Sequence, residues 1–293
     1  MTVQITLPTP ARFNFRTAVS GHGWYDLAPC ALDRENWRLS YVFSAGRPVT
    51  ATIGEADGGL VIEIADESLP AEARAKIARD ARHMLRLDED FEDFHRLAAA
   101  EPRLVWVGRL SGGRLLRSPT VFEDLVKTIC TTNCSWALTK KMVANLVARL
   151  GAEASDGGRA FPTPEAMAGV DDAFYREEIR AGYRAPYFAE LAGRVASGEL
   201  DPQKWLDSEL PTRELKKEMK KIKGVGDYAA ENLLKLVGRY DGLALDSWLR
   251  AGFYRMHKAG ESCPDREIES FYARFGRWRG LAIWCEMTGE WHE

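Results

Sequence analysis

Apolar positions follow two different periods along this chain. Val3 to Leu7, Trp37 to Phe43, Val49 to Ile53 and Leu60 to Ile64 are short runs that mix β-branched and aromatic residues. Glycine and proline punctuate them, in GHG at 21–23, AGRP at 45–48 and DGG at 57–59. Short runs of this kind between turn residues predict strands, here a small antiparallel sheet. From Pro70 the period becomes helical. Ala71 to Arg86 is rich in Ala, Arg and Glu, which are good helix formers, and Asp90 to Ala100 is a second, shorter helix. Ser118 and Pro119 open a third: Ser118 caps, Pro119 suits the first turn, and Val121, Leu125 and Ile129 share one face. A fourth runs from Trp136 to Leu150 and stops at Gly151, ahead of a loop at 151–164. Helical patterns resume at Pro164 to Ala168, Asp172 to Ala181, Ala185 to Ser197 and Pro202 to Leu206, and alternate with turns up to Trp291. The pattern predicts an α+β fold, with an N-terminal β-rich domain and closing helix at 1–85 and a helical body at 86–293.

Composition narrows the class. The chain has 293 residues, 45% apolar and 28% charged, a balance that excludes disorder or a collagen-like fibre. No apolar run approaches the roughly 20 residues of a membrane helix, and the start lacks the pattern of a secretory signal. Five cysteines at irregular spacing fit a reducing cytoplasm. The net charge of −3 argues mildly against nucleic acid, so any phosphate-binding face must be a local basic patch.

Such a patch lies at 211–237, PTRELKKEMKKIKGVGDYAAENLLKLV. It reads as helix, tight turn, helix. The first helix carries Arg213, Lys216, Lys217, Lys220 and Lys221, and Lys223 opens the turn. Gly224 and Gly226 give the turn access to positive φ and to close approach. Amides of such a turn beside a helix N-terminus form an anion site, which the flanking lysines favour further. Val225 pins the turn to the core. The alternative is a glycine-rich turn beside a solvated basic face.

This stretch resembles the helix–hairpin–helix of a DNA glycosylase superfamily, in which a later loop and helix carry a catalytic aspartate. The matching loop here is Asp241-Gly242, and Asp246 opens the next helix. Helix capping accounts for Asp246 equally well, and both roles are compatible. Three further segments resemble the 8-oxoguanine DNA glycosylases: Leu115 to Asn133, Gly182 to Tyr187, and Phe271 to Met287. The resemblance implies that Asn133 and Tyr183 fill the hole left by an extruded base, and that Arg184 reads or supports the base opposite. Asn133 as a helix cap, Tyr183 as a core aromatic and Arg184 as a surface charge are the alternatives. The similarity covers about residues 85–290, with a weaker echo at Ser20-Gly21.

Departures from that family change the expectation. Members that cut the strand carry a lysine two residues after the second glycine, and this chain has Tyr228 there, as in the alkyl-purine glycosylases. A tyrosine forms no imine, so the resemblance implies base removal without lyase activity. The base pocket aligns with Tyr228, Trp248, Ile283, Trp284 and Met287, apolar and aromatic walls that suit a cationic alkylated purine. Asp246 stabilises the developing positive sugar and activates water. The same chemistry on an oxidised or deaminated base, or a DNA-binding protein without catalysis, are the alternatives. The expected partner is double-stranded DNA bearing a damaged base, and the expected state is a monomer in the cytoplasm, at the nucleoid in a bacterium. No metal or cofactor is required: Cys263 and Cys285 alone do not make an iron–sulfur site, although such hairpins bind sodium or potassium through carbonyls, here at 222–226.

Overall fold

The computed structural model describes residues 2–292. Five antiparallel strands form one sheet in the order β1-β5-β4-β3-β2: β1 (Val3–Leu7), β2 (Ala31–Asp33), β3 (Arg38–Ser44), β4 (Pro48–Ala56) and β5 (Gly59–Ile64). Register pairs Ile5 with Ile62, and Ile62 with Ile53, so β-branched side chains stack across one buried face. Strand β2 and a first helix, α1 (Phe15–Ser20), lie in a stretch that the apolar pattern leaves unassigned. Asn14 caps α1 by accepting the Thr17 amide at 3.1 Å.

The helical body comprises α2 (Ala71–Met84), α3 (Glu92–Ala99), α4 (Val105–Arg109), α5 (Val121–Thr131), α6 (Trp136–Leu150), α7 (Pro164–Ala168), α8 (Asp172–Glu177), α9 (Ala185–Ala196), α10 (Thr212–Met219), α11 (Asp227–Leu236), α12 (Ser247–His257), α13 (Asp265–Tyr272) and α14 (Arg279–Thr288). The α+β expectation is met. None of these helices is long and apolar enough to cross a membrane. One apolar core runs from the sheet through α5, α6, α9 and α11. A second joins α3 and α4 to α12, α13 and α14.

Two helix ends differ from the sequence pattern. Helix α5 starts at Val121, because Thr120, not Ser118, accepts the Glu123 amide. Ser118 is held outside the helix, where its own amide donates to Asp124 Oδ1 at 2.8 Å. Helix α2 ends at Met84, and Arg86 adopts a φ of 53°. That turn aims the buried Arg86 guanidinium at the end of α11, where it donates to the Lys235 and Leu236 carbonyls at 2.8 Å each. Arg117 donates to the Leu236 carbonyl as well, at 3.0 Å. Two cations thus satisfy the last carbonyls of α11, where the helix dipole is negative.

Helix α11 in turn fixes the loop that leads to α12. Glu231 accepts the amide of Ala244, which sits at a φ of 53°. Lys235 donates to the Leu243 carbonyl at 3.3 Å. From the other side, Gly280 of α14 donates its amide to the Tyr240 carbonyl at 2.7 Å, and Arg279 donates to the carbonyl of Asp241. The approach is so close that a Cβ on Gly280 would lie 1.8 Å from the Gly242 carbonyl oxygen. Gly280→Ala is therefore expected to destabilise by about 1–3 kcal/mol, since backbone cannot yield as a side chain does. A fall of several degrees in Tm checks this, and an unchanged Tm contradicts it.

Sheet and helices meet through a buried polar layer. Tyr41 donates to Glu123 at 2.6 Å, Trp24 to Asp124 at 2.7 Å, and Lys127 pairs with Glu123 at 2.7 Å. Burial pushes Asp124 up to about 6, and it pushes His22 and His83 each down to about 3, helped by neighbouring cations. Below pH 6.5 the unfolded chain takes up protons that the folded histidines refuse, so their share of stability is lost as pH falls towards 3. Asp124 acts oppositely between about 6 and 3.8, and the two larger histidine shifts outweigh it. Tm is expected to fall from pH 7 to pH 4.5, with a shallower slope in His83→Gln.

Candidate nucleic-acid interface and active site

The hairpin turn has one left-handed glycine. Gly224 adopts a φ of 86°, and a Cβ there would also meet the Tyr187 ring at 2.7 Å. Gly226 does not share this conformation: its φ is −86°, it precedes α11 in extended geometry, and open space faces its Cα. Its missing side chain leaves the first amides of α11 approachable. Val225 is buried, as its pinning role requires.

The lysines are less free than their sequence suggests. Lys220 pairs with Asp227 at 2.9 Å, Lys221 with Glu218 at 2.7 Å, and Lys223 with Glu190. Lys216 bridges Asp227 at 3.0 Å and Glu231 at 2.5 Å. Exposed pairs of this kind are worth about 0–1 kcal/mol, so a phosphate displaces the carboxylates at small cost.

Asn133 lies at the turn between α5 and α6, exposed and at a φ of 47°. It does not cap α6; Ser135 does, accepting the Leu138 amide at 3.3 Å. Tyr183 stands beside it, 48% exposed rather than in the core, with its hydroxyl donating to the Thr132 carbonyl at 3.4 Å. Arg184 is a correction. Its side chain is buried and donates to the Ile129 carbonyl at 3.2 Å, to Thr132 Oγ1 at 3.3 Å and to the Thr132 carbonyl. Nε and Nη2 of the guanidinium thus shape the Asn133 turn. Trp136 adds a tie across the structure, donating to Asp26 at 2.8 Å and packing on Gly23.

Asp246 caps α12: its Oδ1 accepts the Leu249 amide at 2.7 Å. Oδ2 accepts no hydrogen bond among the described residues, and the side chain is half-buried. The carboxylate acts electrostatically on three neighbours, Tyr228, Lys235 and Arg250. Burial first, and then Asp246, push the Tyr228 hydroxyl above its ordinary value.

Three tryptophans stand together near it. The ring centroid of Trp248 is 6.1 Å from Trp284 and 6.0 Å from Trp291, and Trp284 is 6.0 Å from Trp291. Trp248 and Trp291 are 45% and 49% exposed, so the group opens to solvent on one side. On the inner side, Trp284 donates to the Gly21 carbonyl at 2.8 Å, and its ring lies 5.5 Å from His22. Ile283 and Met287 are corrections to the expected pocket. Both are buried in the second core, Met287 against the space left by Gly252. They share one face of α14, whereas Trp284 lies on another, and Trp291, in the turn that follows α14, joins it beside Trp248.

His22, Lys235 and Trp291 escaped the sequence reading. The signal for Lys235 was legible: one lysine inside the apolar run Leu233 to Val237. Burial pushes its ammonium down to about 8, opposed by Glu231 and Asp246. A cleft of about 860 Å³, lined by Arg79, Arg117, Arg239 and Asp241 among others, lies apart from Asp246. Among the described residues no three His, Cys, Asp or Glu side chains stand close enough to hold a metal.

No family model matches the chain. A probable N-glycosylase/DNA lyase of Methanothermobacter thermautotrophicus is 25% identical over 210 residues, 63% of this chain and 65% of that protein. The chain thus spans slightly less than two thirds of the curated relative it matches. Among solved structures, MBOgg1 in complex with a low-affinity DNA ligand superposes with a TM-score of 0.77, at 21% identity over 100% of this chain and 96% of that one. A 3-methyladenine DNA glycosylase from Archaeoglobus fulgidus gives 0.76, at 22% identity over 99% of both. An 8-oxoguanine glycosylase/lyase of Clostridium acetobutylicum, bound to duplex DNA with cytosine opposite 8-oxoguanine, gives 0.70, at 20% identity over 93% of both. The chain therefore has the fold of the helix–hairpin–helix DNA glycosylases.

Proposed function

We propose that this protein is a DNA glycosylase of base excision repair that extrudes a damaged purine and hydrolyses its glycosidic bond without cutting the strand. The observation that carries the proposal is Asp246. One oxygen caps a helix and so fixes the carboxylate, while the other accepts no hydrogen bond among the described residues, and Trp248, two residues on, belongs to a cluster of three tryptophans. A protein that only gripped DNA needs Asp246 for nothing beyond the cap on α12, which a serine or asparagine would serve without charge.

A base inside a duplex is out of reach, so the nucleotide must swing out. The hairpin amides hold the strand, and Asn133 with Tyr183 occupies the space left behind. As the C1′–N bond lengthens, positive charge builds on the sugar. A carboxylate about 4 Å away stabilises it by about 4 kcal/mol at an effective dielectric of 20, roughly a thousandfold in rate. The same group takes a proton from the attacking water. The tryptophans offer π faces to an electron-poor base, which favours an N-alkylated purine as one substrate. Nothing in this chemistry requires the sodium or potassium ion expected at the hairpin.

Asp246→Asn is expected to retain binding to duplex DNA and to lose base release by roughly a thousandfold or more in single-turnover assays. Wild-type rates in that variant would contradict the assignment. Tyr228 replaces the imine-forming lysine, so borohydride is expected to trap no covalent adduct with abasic DNA. Efficient trapping would show a lyase and overturn the monofunctional reading.

A further inference from the structure

Lys235 is 2% exposed, and its only described hydrogen bond is the 3.3 Å contact to the Leu243 carbonyl. An ammonium carries three donors, and burying one without a full set of partners is costly. No carboxylate lies within ion-pair distance of it among the described residues. Its Nζ stands 5.6 Å from the ring centre of Trp284, the inner member of the tryptophan group. The His22 ring lies 5.5 Å from the same indole, and its buried Nδ1 has no hydrogen-bond partner. Two under-used polar groups, from α11 and from the turn after α1, thus stand near one half-buried indole. That indole is held by a single hydrogen bond, to the Gly21 carbonyl. Clamping the Leu243 carbonyl alone does not call for a charge, since any donor of that length serves.

We propose that Lys235 is the acid of the base pocket, reached by the extruded base when Trp284 leaves Gly21, and that it extends the enzyme to neutral purines. This rests on the glycosylase reading above. The chemistry distinguishes two leaving groups. An N7-alkylated purine is cationic and departs as a neutral base, so it needs no acid. A neutral purine takes the C1′–N9 bonding pair and departs as an anion unless a proton reaches it. Lys235 Nζ–H supplies that proton to the base. The water oxygen bonds to C1′, Asp246 accepts the water proton, and solvent exchange returns Lys235 and Asp246 to their starting forms. The sum is hydrolysis: one water consumed, one neutral base and one abasic sugar released. His22, kept neutral, offers its unpartnered nitrogen to the edge of the same base.

The test compares Lys235→Met and Lys235→Gln with the wild type. Gln retains a donor for the Leu243 carbonyl but no acidic proton, and it serves if the Met variant does not fold. Single-turnover release is measured from duplexes bearing one neutral purine, 8-oxoguanine or hypoxanthine, or one cationic purine, 7-methylguanine. The ratio of neutral to cationic release is expected to fall roughly ten- to hundredfold, the worth of a charge-assisted hydrogen bond. Equal losses on both substrates would reduce Lys235 to a structural clamp and overturn the proposal. So would an unchanged ratio, or a wild type that releases the cationic base alone. A wild type inert on every duplex sinks the glycosylase reading itself, and this inference with it.

Discussion

The backbone between α11 and α12 is gripped on both sides, and the proposed active site depends on that grip. Glu231 and Lys235 hold it from α11, while the amide of Gly280 and the side chain of Arg279 hold it from α14. Asp246 lies two residues beyond the clamped Ala244, and its cap on α12 sets its direction. A carboxylate acting by electrostatics is useful only if it is fixed before the charge develops, since reorganisation in the transition state would consume the gain. Rigidity at this loop is therefore part of the chemistry. The same helix that presents its N-terminus to phosphate carries the loop clamps further along, and Arg86 and Arg117 complete its other end. In the proposed function, strand grip and sugar chemistry are coupled through one helix of ten residues, α11.

Charge placement reconciles an acidic chain with the polyanionic partner proposed for it. The net charge is −3, and the lysines of the hairpin are already paired. What remains for phosphate is local: the open amides beside Gly226 and lysines whose exposed pairs are weak. Binding of this kind is expected to be strongly salt-dependent. Deeper in, the balance reverses. Lys235 and His22 sit where water is excluded, and there an unpaired donor or acceptor is worth far more than on the surface.

The fold was largely legible because its signals are local. Alternating runs gave four of the five strands, glycine and proline marked the turns, and the hairpin is one continuous segment. Short β2 and α1 lacked such a pattern and are fixed by tertiary packing. The site divides the same way. Asp246, Tyr228, Asn133 and the hairpin were singled out as candidates because each sits at a fixed offset from a turn. Ile283 and Met287 were misplaced because alignment carries a position but not the rotation of a helix about its axis. Arg184 was misread because its partners, the carbonyls at the end of α5, are more than 50 residues away in sequence. Trp291 and His22 join the site only when both ends of the chain fold together, as the 263-residue span of the Trp284–Gly21 hydrogen bond illustrates.

The most direct measurement is a crystal structure of the protein bound to a duplex that contains a non-cleavable abasic-site analogue. The account predicts the analogue swung out of the helix, with the free Asp246 oxygen about 3–3.5 Å from its C1′ or from a water poised on it. Asn133 and Tyr183 should fill the gap in the stack. A sugar lodged elsewhere, or Asp246 turned from it with the loop between α11 and α12 displaced, would contradict the account.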